Sequence, residues 1–161
     1  MSDPAPRSCD AIIRRATVFD GTGAPRRIAD VALTGDRIVA VGDLGRTAAS
    51  LEIDGSGRAV APGFIDVHTH DDNALLVEPD MPFKVSQGVT TVVTGNCGVS
   101  LAPLVRDDPP PPLDVLGRRG GSFRFARFAD YVAALEASPP AVNAALMVGH
   151  STLRVGTNTR S

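Results

Sequence analysis

The sequence has 161 residues, enough for one domain with a buried core. It is 43% hydrophobic and 21% charged, with a formal net charge of −2. That is a soluble globular composition, and it makes no electrostatic case for nucleic acid or an anionic membrane as partner. No early apolar stretch is long enough for a signal peptide, and none is long enough for a membrane span.

Residues 1–10 read as a flexible leader. From Ala11 to Ala61 the pattern is one of short strands and tight turns, a small β module. Ala11-Ile12-Ile13 and Thr17-Val18-Phe19 lead into the turn cluster Asp20-Gly21-Thr22-Gly23. Asp30–Leu33 and Arg37–Val41 flank Thr34-Gly35-Asp36, a hairpin signal. Leu51–Asp54 and Ala59-Val60 complete the module.

At Pro62 the style changes. Three apolar runs, Phe64–His68, Thr90–Thr94 and Ala144–Val148, are separated by helix-compatible segments. Buried runs joined by helical crossovers predict parallel strands. A short helix is expected over Phe83–Gln87, ending at Gly88. A longer one is expected over Phe125–Glu136, where Phe125, Phe128, Val132 and Leu135 share a face and Pro139-Pro140 stops it. Asp107-Asp108 and the four prolines that follow predict an extended loop.

The chemistry is concentrated at the ends of those runs. His68 and His70 are two of only three histidines. On a strand they point the same way, with Cα atoms about 6.6 Å apart. That spacing lets two imidazoles converge on one metal, where a pair of polar residues closing a strand is the plain alternative. Asp66 shares their face, as a ligand or, more in keeping with a strand-interior acid, as an orienting group. Cys97, in Gly95-Asn96-Cys97-Gly98, follows the second run. A thiolate there suits zinc; an inert buried thiol or a nucleophile are the alternatives. His150 follows the third run, either as a substrate-side group or as a structural histidine bonding a loop. Cys9 and Cys97 are read as free thiols of a cytoplasmic protein. Fifteen of the sixteen basic residues are Arg; the one lysine, Lys84, is read as a mark of base composition.

These residues resemble the amidohydrolase superfamily. Ala61-Pro62-Gly63-Phe64-Ile65-Asp66-Val67-His68-Thr69-His70 is similar to its first barrel strand, and the upstream β module to its small β-sandwich. Gln87–Pro103, with Gly-Asn-Cys-Gly, and Val148–Arg154 resemble the second and third strands of the N-acyl-D-amino-acid deacylases. The resemblance implies an α/β fold: a β-sandwich module over 11–61, then over 62–161 the first three strands of an incomplete (β/α)8 barrel. It implies zinc, one or two ions, with His68, His70 and Cys97 among the ligands and the remaining ligands outside this chain. The implied reaction is hydrolysis of the amide bond of an N-acyl-D-amino acid. The general-base Asp is expected beyond this chain, so no catalytic residue is assigned within it. An inactive remnant, a fragment that needs its missing C-terminal portion or self-associates through open sheet edges, and a cyclic-amide hydrolase of the dihydropyrimidinase or dihydroorotase type are the competing readings.

Overall fold

The computed structural model describes residues 6–117 and 121–158. The boundary between its two compact units falls between Pro62 and Gly63.

The first unit is built on one long strand. β1 (Ser8–Val18) pairs antiparallel with β2 (Arg27–Thr34), which pairs antiparallel with β3 (Arg37–Gly42) through the expected Gly35 turn. On its other side β1 runs parallel to β4 (Ala48–Asp54) and then to β5 (Ala59–Val60). The five strands form one sheet. Two expectations change here. The leader expected over residues 1–10 does not hold at Ser8, Cys9 and Asp10, which lie in β1, with Cys9 buried beside Ile12 and Ala32; residues 1–5 lie outside the described residues. The two short strands over residues 11–19 are one strand with a bulge between Ile13 and Ala16, where Arg15 takes a positive φ of 55°. A bulge inserts a residue without ending the strand, so the sequence reads as two pieces.

Charge pins that bulge. The backbone N–H of Arg15 donates to Asp30 Oδ1 at 2.9 Å, and Arg14 Nη1 donates to Asp30 Oδ2 at 3.3 Å. Burial works to raise the Asp30 pKa, but these bonds and one from the Leu44 N–H outweigh it and hold the carboxyl below its ordinary value. A depressed acid contributes stability that is present above its unfolded pKa, about 3.9, and is lost as pH falls through the folded value. Asp30→Asn is therefore expected to lower stability at pH 7 and to flatten its fall below about pH 4. Urea midpoints measured from pH 7 to pH 2.5 check this; an acid limb as steep as that of the wild type would contradict it.

The second unit holds a three-stranded parallel sheet in the order β10-β7-β6: β6 (Phe64–Thr69), β7 (Val89–Thr94) and β10 (Asn143–Leu146). The parallel pairing of the three apolar runs is as the sequence predicts. Their burial is not. Only the central β7 contributes a fully buried hydrophobe, Val92; Phe64, Ile65 and Val67 of β6 are 65%, 61% and 61% exposed. Apolar periodicity records which side chains are fit for burial, but an edge strand covers them only where a neighbour exists.

Between β6 and β7 lie two single-turn helices, α1 (Ala74–Val77) and α2 (Pro82–Val85); the sequence suggests only the second. Gly88 follows with φ 76°, and its N–H bonds the Val85 carbonyl. Between β7 and β10, β8 (Leu104–Arg106) pairs antiparallel with β9 (Phe123–Phe125), and a 3-10 turn spans Leu113–Leu116 beyond the proline run. The longer helix, α3, occupies Phe128–Ala137. Phe125 is therefore a strand residue and not the start of the helix, and the buried face carries Tyr131 and Leu135, with Val132 half-buried. Tyr131 and Leu135 join Leu75, Met81, Val92, Leu101 and Phe123 in one core. α4 (His150–Asn158) follows β10. No helix among the described residues is long and apolar enough to cross a membrane.

Candidate metal centre

His68 lies in β6 and His70 just past its end, so the alternation of the strand carries both rings to one side. Their ring centroids are 5.7 Å apart. Cys97 lies three residues past the end of β7, and its Sγ is 3.5 Å from His70 Nδ1. One donor atom from each of the three lies within 4.8 Å of the others, and all three residues are exposed. The buried, inert reading of Cys97 therefore fails. Both cysteines are free thiols.

The loop that carries Cys97 is clamped from two sides. Asn96 Nδ2 donates to the Val67 carbonyl at 2.8 Å, tying the loop to the histidine strand. On the other side the loop meets the segment after β10. The N–H of Met147 donates to Thr94 O at 3.1 Å, and the N–H of Ser151 to Gly98 O at 2.8 Å. Gly95, at φ 81°, passes so close to Met147 that a Cβ there would lie 2.1 Å from its carbonyl oxygen; a Cβ on Gly149 would lie 2.5 Å from Gly98 O. Ser100 and Thr152 complete the latch: Ser100 N–H donates to Thr152 Oγ1 (2.8 Å), Thr152 Oγ1 to Ser100 O (2.9 Å) and Gly149 N–H to Ser100 Oγ (2.9 Å).

The acids around the histidines have separate tasks. Asp66 Oδ1 accepts the His68 N–H at 3.2 Å, and Asp66 Oδ2 lies 2.7 Å from Lys84 Nζ. The lysine is the main cause holding the Asp66 pKa below its ordinary value. Lys84 Nζ also donates to Thr69 Oγ1 at 3.2 Å and forms an ion pair with Asp71 Oδ2 at 3.0 Å. Burial opposes the Lys84 charge, but Asp66 and Asp71 outweigh it and raise its pKa. Asp72 is 1% exposed. Its Oδ1 accepts the Leu101 N–H at 3.2 Å, its backbone carbonyl accepts the Tyr131 hydroxyl at 2.8 Å, and its Oδ2 is buried with no hydrogen-bond partner among the described residues. Burial pushes the Asp72 carboxyl up to about 6, with the Leu101 N–H working the other way.

His150 is exposed, begins α4 four residues past the end of β10, and is not among the three clustered donors. Sequence reasoning also passed over Lys84, Asn96, Asp72 and the Ser100–Thr152 latch. Only Lys84 left a signal, as the one lysine in a chain that otherwise uses arginine.

The donor set can be tested against a metal by its own chemistry. One thiol and two imidazoles form a nitrogen–sulfur set of the kind that zinc takes, unlike the oxygen sets of magnesium or calcium. Ligand bonds of about 2.0–2.3 Å in a tetrahedral arrangement separate donor atoms by about 3.3–3.8 Å. The 3.5 Å between Cys97 Sγ and His70 Nδ1 falls in that range, while the three donors together are bounded only at 4.8 Å, so the donor chemistry suits zinc and one pair already has the spacing of shared ligands.

Residues 51–158 match the family described as the amidohydrolase family. The chain belongs to that family. A D-aminoacylase of Alcaligenes xylosoxydans xylosoxydans is 60% identical over 154 residues, covering 96% of this chain and 32% of its own length. A solved D-aminoacylase, whose study concerns a binuclear metal centre activated by one metal and attenuated by the second, superposes with a TM-score of 0.88 at 65% identity, covering 92% of this chain and 31% of that one. The N-acyl-D-glutamate deacylase of Bordetella bronchiseptica, solved with zinc and a phosphonate mimic of the tetrahedral intermediate, superposes with a TM-score of 0.80 at 47% identity, covering 92% and 31%. The chain thus spans about a third of the length of these relatives.

Proposed function

We infer that this chain carries part of the metal site of a zinc-dependent N-acyl-D-amino-acid deacylase, with His68, His70 and Cys97 as ligands. The observation that carries the reading is the convergence of one thiol and two imidazoles, their donor atoms within 4.8 Å of one another, at the C-terminal ends of two parallel strands. Sites of (β/α) barrels collect at such strand ends. On this reading the three-stranded sheet is the start of a (β/α)8 barrel over residues 62–161, and the five-stranded sheet of residues 8–60 is one layer of a β-sandwich.

Each residue then has a task. The histidines offer neutral nitrogens and Cys97 a thiolate, while Asn96 and the Gly95–Met147 approach hold the thiol toward the imidazoles. Zinc, when bound, supplies a Lewis acid that works at neutral pH. His150 is proposed as a substrate-side group. The residue that moves the proton is assigned to the part of the enzyme outside this chain. A thiol that must stay reduced to serve as a ligand fits a cytoplasmic location. The cyclic-amide reading is the weaker one, because the relatives of highest identity described above are named for linear N-acyl substrates.

The test is complementation. Residues 1–161 alone, with added zinc, are expected not to hydrolyse N-acetyl-D-methionine, since loss of a general acid or base alone costs about 10²–10⁴-fold. Mixed with a separate polypeptide carrying the remaining two thirds of the Alcaligenes enzyme, they are expected to give zinc-dependent turnover that disappears in Cys97→Ala. Two soluble, associated pieces without turnover would favour the inactive-remnant reading instead.

A further inference from the structure

We propose that Lys84 is a positioning residue that sets the His68–His70 pair for metal binding. The proposal rests on the metal-site reading above and names what prepares that site. The ammonium of Lys84 touches three side-chain oxygens, at 2.7 Å on Asp66, 3.2 Å on Thr69 and 3.0 Å on Asp71. In sequence these three partners straddle the ligands: Asp66 two residues before His68, Thr69 between the histidines, and Asp71 next after His70. One charged nitrogen therefore braces the whole ligand-bearing segment from α2. Asp66 transmits the brace directly, because its other oxygen holds the His68 N–H.

The brace is needed because β6 is an edge strand with an irregular register. Its pairing with β7 skips between Asp66 and Thr69, so the ladder does not fix the backbone at His68. Lys84 supplies that fixation from the side. Its own side chain is 16% exposed and those of Asp66 and Asp71 are 31% and 15% exposed, so the contacts are partly shielded from solvent screening. The residue type follows from the geometry. An ammonium presents three donors from one small centre, whereas a guanidinium presents a planar fork. Two hydrogen-bonded oxygens, on Asp66 and Thr69, and one ion-paired oxygen, on Asp71, around one point suit the first and not the second, which gives a physical reason for a lysine in a chain whose other basic residues are all arginine.

Two physical effects of removing Lys84 have opposite signs, and that makes the test sharp. Through space, loss of a positive charge beside Asp66 and Asp71 would tighten the binding of a cation. Loss of positioning would weaken it. Zinc affinity of the 161-residue chain is measured by competition with a chelating indicator, and cobalt(II) is added to read thiolate-to-metal absorption from Cys97. Lys84→Met is expected to weaken zinc by about 10–100-fold, the usual cost of losing a group that orients a ligand, and to alter the cobalt spectrum. Lys84→Arg keeps the charge and is expected to weaken zinc as well, by about tenfold. Zinc affinity in Lys84→Met equal to or tighter than wild type would overturn the proposal, as would a drop in melting temperature with affinity and spectrum unchanged. If Lys84→Met does not fold, Lys84→Arg decides, and wild-type affinity there would overturn it. Failure of the metal reading itself looks different: the wild-type chain would bind no zinc, or would bind it equally well as Cys97→Ala.

Discussion

Replacing Gly95 by Ala is expected to destabilise the second unit by about 3–5 kcal/mol, among the largest effects available to a single substitution in this chain. Two costs add. At φ 81° a residue with a Cβ sits in a conformation that costs about 1–3 kcal/mol. The new Cβ would also lie 2.1 Å from the Met147 carbonyl oxygen and 2.7 Å from its carbonyl carbon. Those atoms belong to the backbone, so no rotamer change relieves the collision, and forced overpacking costs about 1–3 kcal/mol more. Gly98→Ala is the matched control. Its φ of 88° is as unfavourable, but the nearest atom to a Cβ there is Ser151 Oγ at 3.7 Å, so it is expected to lose only the conformational part. Urea denaturation of both variants beside wild type checks the pair. Equal losses would show that the Gly95–Met147 approach is not what requires the glycine.

The residues that proved legible in sequence are those whose meaning is local. His68 and His70 are fixed on one side by the two-residue period of a strand, and Cys97 by a glycine-flanked turn just after another. Neither inference requires knowing what lies across the sheet. The parallel order of β6, β7 and β10 followed similarly from apolar runs with helical segments between them. Apart from the bulge that splits β1 in sequence and the single turn of α1, the failures are non-local. Phe123-Arg124-Phe125 pairs with Leu104–Arg106 across the proline loop, and two strands of three residues leave no periodic trace. Phe125 also sits three residues before Phe128, so helical spacing absorbed it, although Arg127 has extended dihedrals that begin α3 only afterwards. The exposure of Phe64, Ile65 and Val67 could not be read because burial depends on neighbours, and hydrophobicity alone assigns it. Lys84 is the instructive case. Its three partners lie 13 to 18 residues upstream, and no short motif links them. The composition signal was present and was read as base usage.

Cys97→Ala is expected to weaken zinc binding by the 161-residue chain by more than about 100-fold, beyond the 10–100-fold that changes to orienting groups already cost. Cys97 offers the one sulfur of the cluster and, on the proposed ligation, would be its one anionic donor, so its removal would take both charge and softness from the site and leave the two imidazoles. Because a thiol must lose its proton to bind, zinc affinity of the wild-type chain should rise with pH and binding should release protons into a weakly buffered solution. In Cys97→Ala that release should shrink. Cys9 serves as the internal control. It is buried in the first unit, with its Sγ 3.3 Å from the Ala11 carbonyl, so Cys9→Ala should leave zinc affinity unchanged. Thiol labelling gives an independent readout: the exposed Cys97 should react fast with a small disulfide reagent and be protected by zinc, while Cys9 reacts slowly with or without the ion. Labelling of Cys97 at the same rate in the presence of saturating zinc, or undiminished zinc affinity in Cys97→Ala, would remove the thiol from the proposed site and overturn its reading as a His68–His70–Cys97 zinc centre.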